Sequence, residues 1–289
     1  MATYNVQNLP AYVDQHKSEL IGQVVLGPDV TKYFDLWTGI KGQTTINILD
    51  IDSPLQCGGA CGWTDGGEGV ISQRLIKPGN FKVNMSICDK NLLNKYAGYL
   101  VRVEAGKTDR DLPFEKELVD EVIKAVKNEI QTNVWTAQTE SNCGMEGLLY
   151  IDDITAVTPS EDQSKIDALV QAMMCAGIKN GEIYASCANY YAYVNSMVNA
   201  NLYHFNPGTA LTDFEVFIPG TNYRLVLADG MPNATVFASA SNNIVYGVNM
   251  INGEEQFDLW FSKDNREFRL AIEFIVGVQV KNPSLAFKA

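Results

Sequence analysis

LPFEKELVDEVIKAVKNEIQTNVWTAQ runs from Leu112 to Gln138, and its apolar residues decide how the rest of the chain is read. Leu118, Val122, Val126, Ile130 and Val134 recur every four positions, and Val119, Ile123 and Trp135 widen the same stripe. That pattern predicts a helix burying one face. Asp111 or Leu112 is placed to cap it, Pro113 is tolerated in the first turn, and Glu115 and Glu117 suit the positive end of the dipole. At 1.5 Å per residue the helix would be roughly 40 Å long. This is too long to wall a small pocket, so it reads as a spine that carries other elements.

The natural cover for such a stripe lies at the carboxyl end. Phe257, Leu259 and Phe261 alternate, Lys263-Asp264-Asn265 turns, and Phe268, Leu270, Ile272, Phe274, Val276, Val278 and Val280 alternate without a break. The period of two predicts a long antiparallel hairpin packed on the spine, and hence an α+β fold. Two more alternating runs, Thr44–Ile51 and Phe81–Ile87, flank the glycine-rich segment CGGACGWTDGGEG (57–69), from which Val70–Ile76 returns. They predict a long two-stranded excursion, and such a hairpin is marginal in water unless it packs on something else.

Elsewhere the signals are shorter. Residues 1–38 read as an arm ordered by a surface it lies on, with Tyr12–Leu26 able to hold a short helix; a first helix of the same domain is the plainer alternative. Gly144–Ile151 reads as a strand. Thr158-Pro159-Ser160-Glu161 reads as a capping box opening a helix that stops at Gly177, and a second helix starts at Ser186 or Cys187. Ile183–Ala185, Phe214–Ile218, Tyr223–Leu227 and Asn243–Val248 read as strands, the middle two joined by the turn Pro219-Gly220-Thr221-Asn222.

Composition excludes several classes of function. The chain has 289 residues, 46% of them hydrophobic, and a net charge of −12 from 22 Lys and Arg against 34 Asp and Glu. No basic cluster of the kind that grips nucleic-acid phosphates is present. No stretch approaches the roughly 18 apolar residues of a membrane span, and no secretory leader pattern opens the chain. Six scattered cysteines (57, 61, 88, 143, 175 and 187) are too sparse for a disulfide scaffold. Cys57 and Cys61, four apart, could begin a zinc site, but neither Cys88 nor Cys143 arrives with a partner at finger-like spacing. Gly106-Lys107-Thr108 lacks the first glycine of a phosphate-binding loop, with Val101 in its place. The two histidines, His16 and His204, have no local nucleophile partner. The reading expects no catalytic residue, cofactor or metal.

The order of parts (arm, glycine-tipped hairpin, spine helix, compact insertion, carboxyl-terminal hairpin) resembles the major capsid protein of tailed phages, the Hong Kong 97-type capsid fold. Leu112-Pro113-Phe114-Glu115, Val216-Phe217-Ile218-Pro219-Gly220-Thr221, Asn243-Ile244-Val245-Tyr246-Gly247-Val248, Glu255-Gln256-Phe257 and Gly277-Val278-Gln279-Val280 carry the local likeness. The resemblance implies an N-terminal arm (1–38), an extended loop (39–88), a peripheral domain (89–144 and 252–289) and an axial domain (145–251). It implies self-assembly as pentamers and hexamers into an icosahedral shell around double-stranded DNA, in a virion assembled in host cytoplasm. It also implies a separate scaffolding protein, a portal and, in some relatives, decoration proteins. Candidate inter-subunit residues are Arg74, Lys77 and Lys82 on or beside the extended loop, and Asp120, Glu121, Lys124, Lys127 and Glu129 on the spine. Some relatives join a loop lysine covalently to a peripheral-domain asparagine; here Lys77 or Lys82 and Asn282 would be the partners, although no motif selects them. The alternatives are an encapsulin-type compartment shell and a soluble α+β enzyme.

Overall fold

A computed structural model describes residues 8–25, 29–51, 69–88, 114–140, 143–161, 163–200, 215–249 and 257–289, together with 91, 95, 97–99, 101, 104 and 105. The helices are α1 (Asn8–Val25), α2 (Phe114–Thr136), α3 (Lys165–Cys175) and α4 (Cys187–Asn199). The strands are β1 (Asp35–Thr38), β2 (Thr44–Ile51), β3 (Gly69–Ile76), β4 (Gly79–Cys88), β5 (Thr155–Ala156), β6 (Gly181–Ala185), β7 (Glu215–Phe217), β8 (Tyr223–Leu227), β9 (Val236–Ala240), β10 (Ile244–Asn249), β11 (Phe257–Ser262), β12 (Glu267–Val280) and β13 (Ala286–Lys288).

The spine is α2. Leu118, Val119, Ile123, Val126, Ile130, Val134 and Trp135 are all buried, as the period of its apolar residues requires. Opposite it stands β12, the longest strand, whose residues Phe268, Leu270, Ile272, Phe274, Val276, Val278 and Val280 belong to the same core. One edge of β12 pairs first with β11 and then with β10; the other pairs with β4 from Glu267↔Cys88 to Val276↔Gly79. A fifth strand, β1, runs parallel to β10.

Several strands cross the boundaries that the resemblance implies. β4 lies within the stretch expected to be extended loop, yet it pairs with β12 along its whole length, because Phe81, Val83, Met85 and Ile87 turn one face onto the core. Phe81 stacks on Phe274 at 5.7 Å. Only β2 and β3 stand apart as a two-stranded sheet, in register from Thr44↔Ile76 to Ile51↔Gly69. The glycine-rich tip, 52–68, lies outside the described residues. The amino-terminal segment rests on its own chain, where Val13, Leu20 and Val24 of α1 are buried against α2 and β11.

A second sheet has the order β5-β13-β9-β6-β8-β7 and packs beneath α3 and α4. Its strand β13 comes from the carboxyl end and fills the gap between β5 and β9. Two local expectations fail here. The helix expected from Pro159 begins at Lys165, where Ser164 caps it by accepting from the Asp167 N–H at 3.1 Å. The earlier residues are held extended by β13, since Val157 N–H donates to Lys288 O. Residues 145–151 form a short 3-10 turn at Leu148–Tyr150 rather than a strand. Gly147 presses so closely on the end of α2 that an added Cβ would meet Ala137 N at 2.6 Å. The stop at Gly177 holds, with φ +73 and Ile178 N–H reaching back to Met173 O.

The two sheets share one core. Trp135 from α2, Tyr184 from β6, Phe237 from β9 and Phe34 before β1 pack with ring centroids 5.3 to 6.5 Å apart. Such tilted and edge-on contacts add to what burial alone supplies.

Candidate assembly surfaces

The free-standing hairpin β2–β3 is fastened to the body at its root. Ile46 and Ile76 from the hairpin, Ile40 from the approach and Val245 from β10 form a small buried cluster of their own. This cluster can sit low on the central sheet because Gly247 and Gly277 face each other across β10 and β12. A Cβ on Gly247 would meet Ile40 Cδ1 at 2.4 Å, and one on Gly277 would meet Pro78 Cα at 2.8 Å. The pair of missing side chains is therefore the seat on which both legs of the hairpin cross the sheet.

Polar contacts lock the seat. Gln279 is buried in β12; its Nε2 donates to Leu75 O at 2.9 Å, while its Oε1 accepts from Arg74 Nη2 at 3.3 Å and from Val280 N–H at 2.9 Å. Arg74 also donates from Nη1 to Asp153 Oδ2 at 3.1 Å, and Lys77 Nζ lies 3.4 Å from Glu146 Oε2. Arg74, Lys77, Glu146, Asp152, Asp153, Gln279 and Asn282 share the wall of an open cavity of about 610 Å³ beneath the hairpin.

The candidate residues thus fall into separate groups. Arg74 and Lys77 hold partners in their own chain, and neither lies among the spine acids. Lys82 sits on the exposed face of β4, in register with Glu273 of β12. Glu121, Lys124 and Glu129 are exposed along α2, with Asp120 and Lys127 half-buried. Glu121 is 3.3 Å from Lys95, with both side chains well exposed. The Asn282 side chain accepts from the Ser284 N–H and hydroxyl at 3.0 and 2.7 Å, in the cavity that Lys77 also lines. Sequence reading missed Gln279, Gly247 and Gly277 as the anchor; a glycine breaking each of two β-branched runs was the available signal. It also missed the intrachain partners Glu146 and Asp153, for which no local pattern exists.

The described residues contain no cluster of three or more metal-ligating side chains and no helix long and apolar enough to cross a membrane. No protein-family model matches the sequence, and no curated protein resembles it in sequence. Solved structures do match its shape. The capsid of a native GTA particle aligns with a TM-score of 0.58 over 92% of this chain and 89% of its own, at 12% identity. A chain of Mycobacterium phage Ogopogo aligns at 0.58 over 90% of both chains, also at 12% identity. A virus-like particle from Pyrococcus furiosus aligns at 0.54 over 96% and 98%, at 11% identity. The chain has the fold of a phage capsid protein. In this chain the β2–β3 hairpin stands apart from the central sheet as a two-stranded sheet of its own.

Proposed function

We propose that the protein is the major capsid subunit of a tailed double-stranded DNA phage, built on the Hong Kong 97-type plan and assembling as pentamers and hexamers into an icosahedral shell. One observation carries the reading: the likeness to capsid chains extends over about nine-tenths of both partners. A shell subunit needs surfaces that reach beyond its own body, and β2–β3 supplies one. It is rooted firmly and bears Ile71 and Leu75 exposed, the latter 43% and the former 69%. Apolar groups so placed gain by packing on a neighbouring subunit.

In this reading Lys82, Asp120, Glu121, Lys124, Lys127 and Glu129 act between subunits, and Arg74 and Lys77 orient the hairpin. Double-stranded DNA is enclosed without specific binding, as suits a chain of net charge −12. A separate scaffolding protein and a portal complete assembly in the host cytoplasm. The work is structural rather than catalytic.

Purified protein imaged by negative stain, with size measured by gel filtration, should give rings or closed shells. A stable monomer of 31.9 kDa under every assembly condition overturns the proposal. A second reading, an encapsulin-type compartment shell holding cargo proteins, is favoured by the nearly equal extent of this chain and the Pyrococcus furiosus virus-like-particle subunit. Nuclease-protected DNA inside native particles supports the phage reading, and protected protein cargo without DNA supports the compartment.

A further inference from the structure

Among the described residues, three buried side-chain atoms able to hydrogen-bond find no partner in the chain: Arg74 Nε, Trp135 Nε1 and the Tyr184 hydroxyl oxygen. Arg74 lines the open cavity beneath the hairpin, and both of its terminal nitrogens are bonded. The other two lie far from any opening. Trp135 on α2 and Tyr184 on β6 have no exposed surface, and their ring centroids are 5.3 Å apart with the planes tilted by 48°. Phe34 and Phe237 pack on both, with centroids 5.6 to 6.5 Å away, and a phenyl ring has neither an N–H nor a lone pair to give. The spine and the second sheet thus each bring one hydrogen-bonding group to the same aromatic cluster, and the two groups do not bond each other.

Roughly nine-tenths or more of buried polar groups are paired in folded proteins, because a bare one forfeits the bond it makes to water in the unfolded chain. The inventory of the two groups defines what can pair them. An indole N–H only donates. The phenol stays protonated: burial, then the charges of Glu182 and Tyr33, push it well above its usual range against the opposing charge of Arg224. It therefore keeps a hydrogen to give and lone pairs to accept. Glu182 stands two residues before Tyr184 on the same face of β6, so the surroundings of the hydroxyl are not wholly apolar.

We propose that an internal water molecule lies between Trp135 Nε1 and the Tyr184 hydroxyl, forming a polar bridge from the spine to the second sheet. The water accepts from the indole N–H and bonds the phenol, which gives it the two or more polar partners that a buried water needs. Charge and size select the occupant. An ion at this place would be desolvated with no opposite charge on indole or phenol to compensate it. A larger polar molecule would have to push apart four close-packed rings. The site lies within one chain and is independent of the shell reading.

The test pairs a density map of the full chain, as subunit or as particle, with one conservative variant. A map fine enough to resolve ordered water should show a single peak within hydrogen-bond distance of both Trp135 Nε1 and the Tyr184 hydroxyl. A dry gap there, or a protein atom bonded to either group, overturns the bridge. Tyr184→Phe removes the hydroxyl and leaves the ring in place, so the fold is kept while the water loses one partner. Its melting temperature should fall by about 2–4 °C, and its map should show the water lost or displaced. A bare hydroxyl predicts the opposite sign, since deleting an unpaired buried polar group relieves its desolvation. An unchanged or higher melting temperature for Tyr184→Phe therefore overturns the proposal, even with density present.

Discussion

Glu182 lies in β6, flanked in register by Arg224 of β8 and Ser239 of β9, and the Ser241 hydroxyl donates to its Oε1 at 2.7 Å. Burial pushes its carboxyl above the usual carboxylate range, with the Ser241 hydrogen bond and the Arg224 charge opposing. A carboxylate raised in the folded state costs stability once ionised. Stability contributed by this group should therefore fall as pH rises through its folded pKa, and the difference should vanish below the unfolded value. Glu182→Gln keeps an acceptor for Ser241; its melting temperature should exceed that of the unaltered protein at about pH 7 and converge with it near pH 4. A variant that is less stable at neutral pH would show that the Arg224 attraction outweighs desolvation. The glycine seat offers a second comparison. Alanine at 277 meets backbone at Pro78 and should cost about 1–3 kcal/mol in urea unfolding, whereas alanine at 247 meets only the mobile tip of Ile40 and should cost less. The reverse order would count against the close crossing at Pro78.

At the scale of elements, the β2–β3 hairpin is held less by its own ladder than by what grips its root. Gln279→Leu removes the acceptor of Arg74 and Val280 N–H and the donor to Leu75 O, leaving buried groups unpaired at about 1–3 kcal/mol. Hydrogen exchange should then speed up in β3 while β12 next to β11 stays protected; equal protection in both would mean the hairpin does not depend on the clamp. The elements that could be read from sequence are those with a sustained period. The α2 stripe and the alternation of β12 are visible because one face of each is buried, and β2 was legible from its own alternation of Thr44, Ile46 and Ile48. β9, VFASA, was not legible, being buried on both faces with small residues and so lacking alternation. β13 is three residues long, and its strand state comes from β5 and β9 on either side. The capping motif at Thr158 was overridden in the same way, by tertiary pairing that no local pattern reports. The candidate charges were visible as residues, but their partners were not. Arg74 meets Asp153 and Gln279 only through the fold.

For the whole molecule, exposed charge and buried core answer different questions. The Glu121–Lys95 pair is well exposed on both sides, and pairs of that kind are worth at most about 1 kcal/mol. Replacing Asp120 and Glu121 by Lys should leave the melting temperature of the monomer nearly unchanged while lowering shell yield, measured by light scattering. Normal yield would make α2 an internal beam and nothing more. The core, in contrast, is continuous from α1 through the central sheet to Trp135, Tyr184 and Phe237, so the two sheets should unfold as one cooperative unit.

The placement of β12 and β13 also sets a timetable. β4, β10 and β11 all wait for β12, and the second sheet stays split until β13 slides between β5 and β9, with Ala289 just after it exchanging hydrogen bonds with Val236. Both β12 and β13 lie far along the chain from β4 and β5, the strands they join. Long-range pairing of this sort is slow. Until β12 is in place, the edges of β4 and β10 that it covers stand open to other strands.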